Sequence, residues 1–161
     1  MKKLILLLGA VFCLSAACAN SPADAGGTEK SSTAKSGGGM NISITITNDA
    51  GETHTLAATL SDNRSADAFA GLLKKGSVTV KMHDYGSFEK VGPLGTTLPR
   101  TDTQITTQAG DIILYQGNQI TIYYDTNSWN FTRLGKIRGV SQKELKAVLG
   151  PGSVTAVFSP E

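Results

Sequence analysis

Four side chains between residues 100 and 129 have the chemistry needed to hold a peptide or a small polar ligand: Arg100, Gln108, Gln119 and Trp129. The guanidinium of arginine is planar and permanently charged, so it can donate hydrogen bonds to an amide carbonyl. Glutamine side chains both donate and accept hydrogen bonds, and an indole ring offers apolar surface. Gln108 follows Arg100 by eight positions and Trp129 follows Gln119 by ten, so the four residues form a pattern that can be compared as a whole.

The order and spacing of this stretch resemble the catalytic strand of cyclophilins, which reads Arg-x4-Phe-Met-x-Gln-Gly-Gly-Asp. The positions that match it after Arg100 are Ile105, Thr106, Gln108, Ala109, Gly110 and Asp111. Cyclophilins continue with Asn-Gly-Ser-Gln and a tryptophan ten residues later. This chain has Gly117-Asn118-Gln119, followed by Trp129 at that distance.

Two further segments resemble the same family. Leu134-Gly135-Lys136-Ile137 is similar to the Phe-Gly-Lys-Val strand of cyclophilins. The segment 84–95, with Leu98-Pro99 after it, is similar to a loop of shortened bacterial cyclophilin-like proteins. The resemblance covers about residues 40–159 of the chain.

Cyclophilins are prolyl isomerases, so the resemblance implies a groove that accepts a peptide. Rotation about an X–Pro amide is opposed by a barrier of roughly 18–20 kcal/mol, which a well-placed cationic donor can lower by stabilising the twisted amide. The resemblance implies that Arg100 is the catalytic arginine, Gln108 the substrate-binding glutamine and Trp129 the tryptophan at the pocket edge.

The proline cup is where the chain departs from cyclophilins. Ile105 and Thr106 stand in place of Phe and Met, and Leu134 stands where the family has a histidine five residues after its tryptophan. Smaller apolar area weakens binding of the proline ring by a few kcal/mol, at about 25 cal/mol per Å². We therefore expect an extended peptide or a small ligand to bind without strong catalysis, through the residues Arg100, Ile105, Gln108, Gln119 and Trp129.

Two alternatives remain at this point. The first is a slow peptidyl-prolyl isomerase that acts on exported proteins, with Arg100 as its catalytic residue. The second is a structural domain that docks onto another envelope protein, which predicts a large exposed apolar patch away from Arg100. The aromatic residues Tyr85, Phe88, Tyr115 and Tyr123 are candidates for the groove or for the core.

The elements that must position these residues are mostly strands. Apolar and polar residues alternate over 41–47 and again in several later segments, which predicts half-buried strands. Ser61, Asp62 and Asn63 are candidate N-caps for a helix near 66–74, and Ser141 with Glu144 predicts a capping box for a second short helix. The Gly- and Pro-rich stretch 84–101 is predicted to be a loop. The pattern predicts a mainly β fold, a closed β-barrel of about eight strands with two short capping helices, and the resemblance implies that this barrel is cyclophilin-like.

The N-terminal segment has the pattern of an export signal. Lys2 and Lys3 precede an apolar run over 4–14 that is too short to span a bilayer. The sequence Leu14-Ser15-Ala16-Ala17-Cys18 resembles a lipobox, which predicts a signal peptide over 1–17 and a lipid on Cys18. Residues 18–39 are small and polar and predict a flexible tether to the domain over 40–161. The expected location is the cell envelope, with ordinary signal cleavage and a soluble secreted or periplasmic protein as the alternative.

Composition limits the chemistry and the partners. Residues 40–161 contain eleven Lys or Arg and eleven Asp or Glu, and a neutral domain without a basic cluster predicts no nucleic-acid partner and membrane contact through the lipid alone. Both cysteines, Cys13 and Cys18, precede the domain, which leaves no thiol for catalysis there. The pair His83-Asp84 and Glu89 do not have the sequence spacing of metal ligands, so we expect no metal site. We also expect that the protein has no cofactor and is a monomer.

Overall fold

The computed structural model describes residues 39–161, so the predicted signal peptide, the lipidation at Cys18 and nearly all of the predicted tether lie outside the described residues. Nine strands and two helices follow one another in the order β1 (Asn41–Asn48), β2 (Thr53–Leu60), α1 (Arg64–Leu73), β3 (Val78–Tyr85), β4 (Glu89–Pro93), β5 (Thr103–Thr106), β6 (Asp111–Tyr115), β7 (Gln119–Tyr123), β8 (Ser128–Ile137), α2 (Gln142–Leu149) and β9 (Val154–Pro160). Neither helix in this part of the chain is long and apolar enough to cross a membrane.

Eight of the strands close into an antiparallel barrel, which confirms the predicted fold class. Their order around the ring is β2-β1-β9-β3-β4-β7-β6-β8, and pairing of β8 with β2 closes it. A Cβ added to Gly135 would lie 2.6 Å from the Thr59 carbonyl oxygen, so glycine lets the two closing strands approach. The ninth strand, β5, pairs with the first half of β8.

The core fills the inside of the barrel with alternate residues of the strands. Ile42, Ile44 and Ile46 of β1 are fully buried, as their alternation predicts. Both helices add their apolar faces to this core, as the contact between Phe69 of α1 and Phe158 of β9 shows, with ring centroids 5.6 Å apart. Of the three candidate caps of α1, Asn63 is the one whose side chain accepts from the first turn. The predicted capping box of Ser141 with Glu144 at α2 is confirmed.

The prediction of a continuous loop over 84–101 was wrong in its first half. The strand β3 continues to Tyr85, and β4 pairs with it antiparallel from Glu89. Gly86 and Ser87 both have positive φ, 60° and 58°, a combination typical of the tight turns that join two antiparallel strands. The Gly86-Ser87 turn therefore joins two strands as a hairpin, although the glycines and prolines of the whole stretch favour a loop. Only the part after β4 is a loop.

Candidate functional site

Five aromatic rings form a continuous row on the outside of the barrel. Tyr115 and Phe131 have ring centroids 6.4 Å apart, Phe131 and Tyr123 5.6 Å, Tyr123 and Phe88 6.0 Å, and Phe88 and Tyr85 5.9 Å. The strand residues among them alternate with core residues, so their side chains face away from the interior. We call the surface formed by these five rings the aromatic groove.

The floor of the aromatic groove is a second apolar cluster, separate from the barrel core. Ile113, Tyr123 and Phe131 are buried in it, and partly buried apolar residues that include Phe88 and Ile105 pack against them. Tyr85 and Trp129 are exposed on the same outer face, so this face is a candidate surface for a ligand.

Two adjoining cavities lie over this floor. One has a volume of about 680 Å³ and the other about 700 Å³, and both are lined by Tyr115, Gln116 and Trp129. Trp129 is 62% exposed and Tyr85 is 59% exposed, and these are the exposed large hydrophobic residues of the described chain. Each volume is in the range typical of ligand pockets.

Carboxamide side chains stand around the apolar floor. Gln116, Gln119 and Asn127 line the cavity over the rings, and Asn130 lines the adjoining one. A carboxamide can donate and accept at the same time. The rim therefore complements the N–H and C=O groups of a peptide backbone.

Arg100 reaches the groove because its loop packs on the turn between β6 and β7. The Leu98 N–H donates to the Gly117 carbonyl oxygen at 2.8 Å. Gly117 has a φ of 82°, and a Cβ there would lie only 3.1 Å from the Leu98 carbonyl oxygen. Glycine thus permits the approach that brings Arg100 into the cavity with Trp129 and Asp102.

The guanidinium of Arg100 is already paired with a carboxylate. Its Nε donates to Asp102 Oδ2 at 2.9 Å, and its Nη2 donates to the same oxygen. The hydrogen bond to Asp102 raises the pKa of Arg100, and the same bond lowers the pKa of Asp102. Arg100 can still offer its remaining N–H groups to a ligand carbonyl, but its charge is compensated.

Glu89 provides a buried acid beside the rings. It lines the 680 Å³ cavity, is only 7% exposed, and its Oε2 has no hydrogen-bond partner among the described residues. Burial raises the pKa of Glu89, and the neighbouring Tyr123 hydroxyl offsets this in part. In the described part of the chain no three His, Cys, Asp or Glu side chains are grouped closely enough to hold a metal ion.

The structure brings four of the five residues predicted for the site to this face. Arg100, Gln119 and Trp129 line the cavities, while Ile105 lies opposite Trp129 in the β5–β8 pairing and supports the floor. Gln108 lines neither cavity. It is exposed in the turn before β6, where its backbone N–H donates to Asp111 Oδ2 at 2.9 Å.

The residue pattern alone does not identify Glu89 or Asp102 as groove residues. Glu89 falls in the stretch predicted as a loop, although Gly86-Ser87 between two alternating runs is a hairpin pattern that would have placed it on a strand. Asp102 could have been noticed only as a carboxylate two residues from Arg100. Such a spacing carries little weight without the loop geometry that joins the two side chains.

A closed barrel with a groove on its outer face defines the class of this protein, and comparison with known proteins gives its family. The chain belongs to the cyclophilin-like family, whose sequence model matches residues 49–159. A search of curated protein sequences finds no match.

Two solved structures are similar in fold. The structure of McbB in complex with tryptophan matches with a TM-score of 0.54 and 16% identity over 74% of this chain. The alignment covers 44% of the McbB chain, so this chain spans less than half the length of that protein. The solution structure of the hypothetical protein AF2241 from Archaeoglobus fulgidus matches with a TM-score of 0.53 and 10% identity, over 76% of this chain and 97% of that one. At these identities the likeness concerns the fold alone.

Proposed function

We propose that this cyclophilin-like domain binds an extended peptide in the aromatic groove and performs no strong catalysis. The observation that carries the proposal is the exposure of Trp129 and Tyr85 at an aromatic surface on the outside of a closed barrel. The alternative of a docking domain predicts an apolar patch away from Arg100. Among the described residues, however, Trp129 shares a cavity with Arg100.

Covering the two exposed rings gives a useful part of a binding free energy. A large aromatic side chain buries roughly 150–250 Å² in full, and about 25 cal/mol is gained per Å² of apolar area. A ligand that covers the exposed parts of Trp129 and Tyr85 would therefore gain about 2–3 kcal/mol from each. Ordering of the ligand offsets part of this, so we expect micromolar rather than nanomolar affinity.

The polar rim favours a peptide over a purely apolar ligand. Gln116, Gln119, Asn127 and Asn130 can pair with backbone groups of an extended chain, and Arg100 can donate to one of its carbonyls. An apolar ligand would desolvate these groups without pairing them, which costs free energy.

The surroundings of Arg100 argue for weak catalysis at most. Asp102 compensates the charge that would stabilise a twisted amide. Thr106 hydrogen-bonds Ser128 at 2.8 Å across the β5–β8 pair, so the position of the family methionine holds a hydroxyl with a structural partner.

Fluorescence of Trp129 tests the binding proposal directly, since it is the only tryptophan of the chain. Peptides from a library of blocked extended pentapeptides should change its emission in a saturable way. The change should be lost in Arg100→Ala and kept in Arg138→Ala, which alters an exposed arginine that does not line the groove. If no peptide of the library changes the emission in a saturable way, and calorimetry also detects no binding, the proposal is refuted.

Slow prolyl isomerisation is the second candidate, because Arg100 and Trp129 line one cavity. The rate of isomerisation of an Ala-Pro peptide, measured with the protein and with Arg100→Ala, separates the two candidates. Acceleration that disappears in Arg100→Ala but persists in Arg138→Ala would make the protein an isomerase. No acceleration at high protein concentration would leave a binding protein.

We also propose that Cys18 carries a lipid that holds the domain at the cell envelope. The proposal is supported by the lipobox-like sequence that ends at Cys18. Labelled fatty acid should be incorporated into the full chain and not into Cys18→Ala. Incorporation that is equal in both proteins would exclude this anchor.

A further inference from the structure

The polar atoms that lack partners are concentrated beneath the aromatic groove. Among the described residues, the buried side-chain atoms without a hydrogen bond are Glu89 Oε2, Thr121 Oγ1 and Arg133 Nε. Thr121 lies opposite Ile113 in the β6–β7 pairing, and Arg133 lies opposite Ile113 in the β6–β8 pairing. Thr121 and Arg133 therefore flank Ile113 on the outer face of the barrel. Glu89 is the one of the three that lines the cavity.

Tyr123 hydrogen-bonds the Glu89 carboxyl and lowers its pKa in part, but Oε2 has no partner and the charge has no counter-ion among the described residues, which is costly in a buried position. The positive charge of Arg133 is not available to Glu89, because its Nη2 donates to Asp111 at 3.1 Å. Lys90 follows Glu89 directly but lies on the opposite face of β4, where it is bound to Asp84. The residues that line this cavity include no Lys or Arg.

Aromatic rings flank the carboxyl on both sides. Tyr85 lies opposite Glu89 across the β3–β4 pair, and Tyr123 lies opposite it across the β4–β7 pair. Phe88 stacks on Tyr123. The faces of such rings attract cations, by about 0.5–2 kcal/mol for each favourable pair.

We propose that the aromatic groove selects a peptide with a cationic side chain, lysine or arginine, whose charged head binds Glu89 between the rings. The inference rests on the proposed function and adds the class of side chain that is recognised. A cation at the cavity wall would compensate the charge of the Glu89 carboxylate, whose Oε2 is itself buried from solvent. A neutral apolar side chain would fill the same space without compensating that charge, and an acidic side chain would be repelled.

The test compares side chains that differ in charge alone. Acetyl-Ala-Ala-X-Ala-Ala-amide peptides with lysine, norleucine or glutamate at X are titrated into the full chain, with Trp129 fluorescence and calorimetry as readouts. We expect the lysine peptide to bind at least about tenfold more tightly than the norleucine peptide. In Glu89→Gln this preference should disappear, and in Glu52→Gln, which changes an exposed turn residue, it should remain.

The outcomes separate the inference from the function on which it rests. If none of the three peptides binds, nor any member of the library, both fall together. If lysine and norleucine peptides bind equally, or if Glu89→Gln keeps the preference, the groove binds peptides but the cation site is wrong. Tighter binding of the glutamate peptide would overturn it as well.

A pH series keeps the inference testable even if Glu89→Gln does not fold. Affinity for the lysine peptide should rise with pH as Glu89 loses its proton, while affinity for the norleucine peptide should stay level. The other titratable side chains that line this cavity are His83 and Tyr85 from β3, Tyr115 from β6 and Tyr123 from β7. The series is repeated in His83→Asn so that histidine titration is removed, and a flat lysine profile there would overturn the inference.

Discussion

Glu89 and Lys90 are neighbours in sequence and both are buried, but the fold treats their charges in opposite ways. Lys90 is 0% exposed, and its Nζ donates to Asp84 Oδ1 at 2.9 Å, to the Gly150 carbonyl at 2.8 Å and to the Gly152 carbonyl at 2.7 Å. Glu89 is 7% exposed and its Oε2 has no partner among the described residues. The Lys90 ammonium uses all three of its donors within the fold, whereas the Glu89 carboxyl lines a cavity and has no cationic partner among the described residues.

The Lys90 cluster joins distant parts of the chain. The β3–β4 hairpin supplies Asp84 and Lys90, and the two carbonyls come from the segment after α2. Burial raises the pKa of Asp84, but hydrogen bonds from Tyr124 and Lys90 outweigh it and leave the pKa below its usual value. The cluster therefore holds its carboxylate ionised at neutral pH and fixes the end of α2 against the hairpin.

Lys90→Met should have the largest effect on the stability of the protein. Methionine fills much of the same space but leaves two carbonyls without their donor and Asp84 without its cation, although the Tyr124 hydroxyl still donates to Asp84 Oδ1. Because the Asp84 side chain is 31% exposed, we expect the lower end of the roughly 3–5 kcal/mol that breaking a buried pair costs. Urea denaturation measures the loss. Lys81→Met, at an exposed position of β3, is the control and should change little. A loss below about 1 kcal/mol for Lys90→Met would remove the contrast with Glu89.

Trp129→Ala should affect binding strongly and stability weakly. Trp129 is 62% exposed, so its removal should change the free energy of unfolding by less than about 0.5 kcal/mol. Peptide affinity, measured by calorimetry because the fluorophore is gone, should fall about tenfold or more. Phe131→Ala is the informative partner, since Phe131 is buried in the floor and its loss should cost about 3 kcal/mol of stability.

Glu89→Gln should stabilise the free protein at neutral pH, by on the order of 1 kcal/mol. The pKa of Glu89 is raised in the folded state. The stability that this raised pKa of Glu89 contributes is therefore fully present below the ordinary pKa range of glutamate. It is lost as the pH rises through the raised pKa of the folded state. The gain of the variant should be absent near pH 4 and should grow as the pH increases.

Denaturation at a series of pH values checks this, with Glu52→Gln as the control whose curve should parallel the wild type. A Glu89→Gln variant that is less stable than the wild type at every pH would mean that the carboxyl has a partner in solution. The contrast between the two buried charges would then disappear.

The strands and helix starts could be predicted from local sequence patterns, whereas the closure of the barrel, which pairs β8 with β2, was implied by the resemblance as well. Alternation in β1 and the caps Asn63 and Ser141 each need only a few neighbouring residues. Arg100 and Trp129 line one cavity, although their roles there stay a prediction. The pairing of Arg100 with Asp102 could not be predicted because it depends on the geometry of the loop that carries both. The burial of Glu89 could not be predicted because it depends on which strands become neighbours.

Two hairpins at the groove have the same geometry, but the sequence predicts only one of them. Tyr85 pairs with Glu89 across one turn and Tyr115 pairs with Gln119 across the other, each over three residues. The sequence Gly117-Asn118 predicts the second hairpin, whereas Gly86-Ser87 lies in a stretch whose other glycines and prolines favour a loop. The same geometry arises from both because each turn has two consecutive residues with positive φ.

Gln116→Gly should give the smallest effect, and it separates stability from function within the second of these turns. Gln116 has a φ of 52°, where a non-glycine residue is strained. Glycine there should raise the free energy of unfolding by about 0.5–1 kcal/mol, as measured by urea denaturation. Because Gln116 lines both cavities, the same variant should lose peptide affinity although it is more stable. A variant that gains stability and keeps full affinity would show that the turn, and not its carboxamide, is what the groove requires.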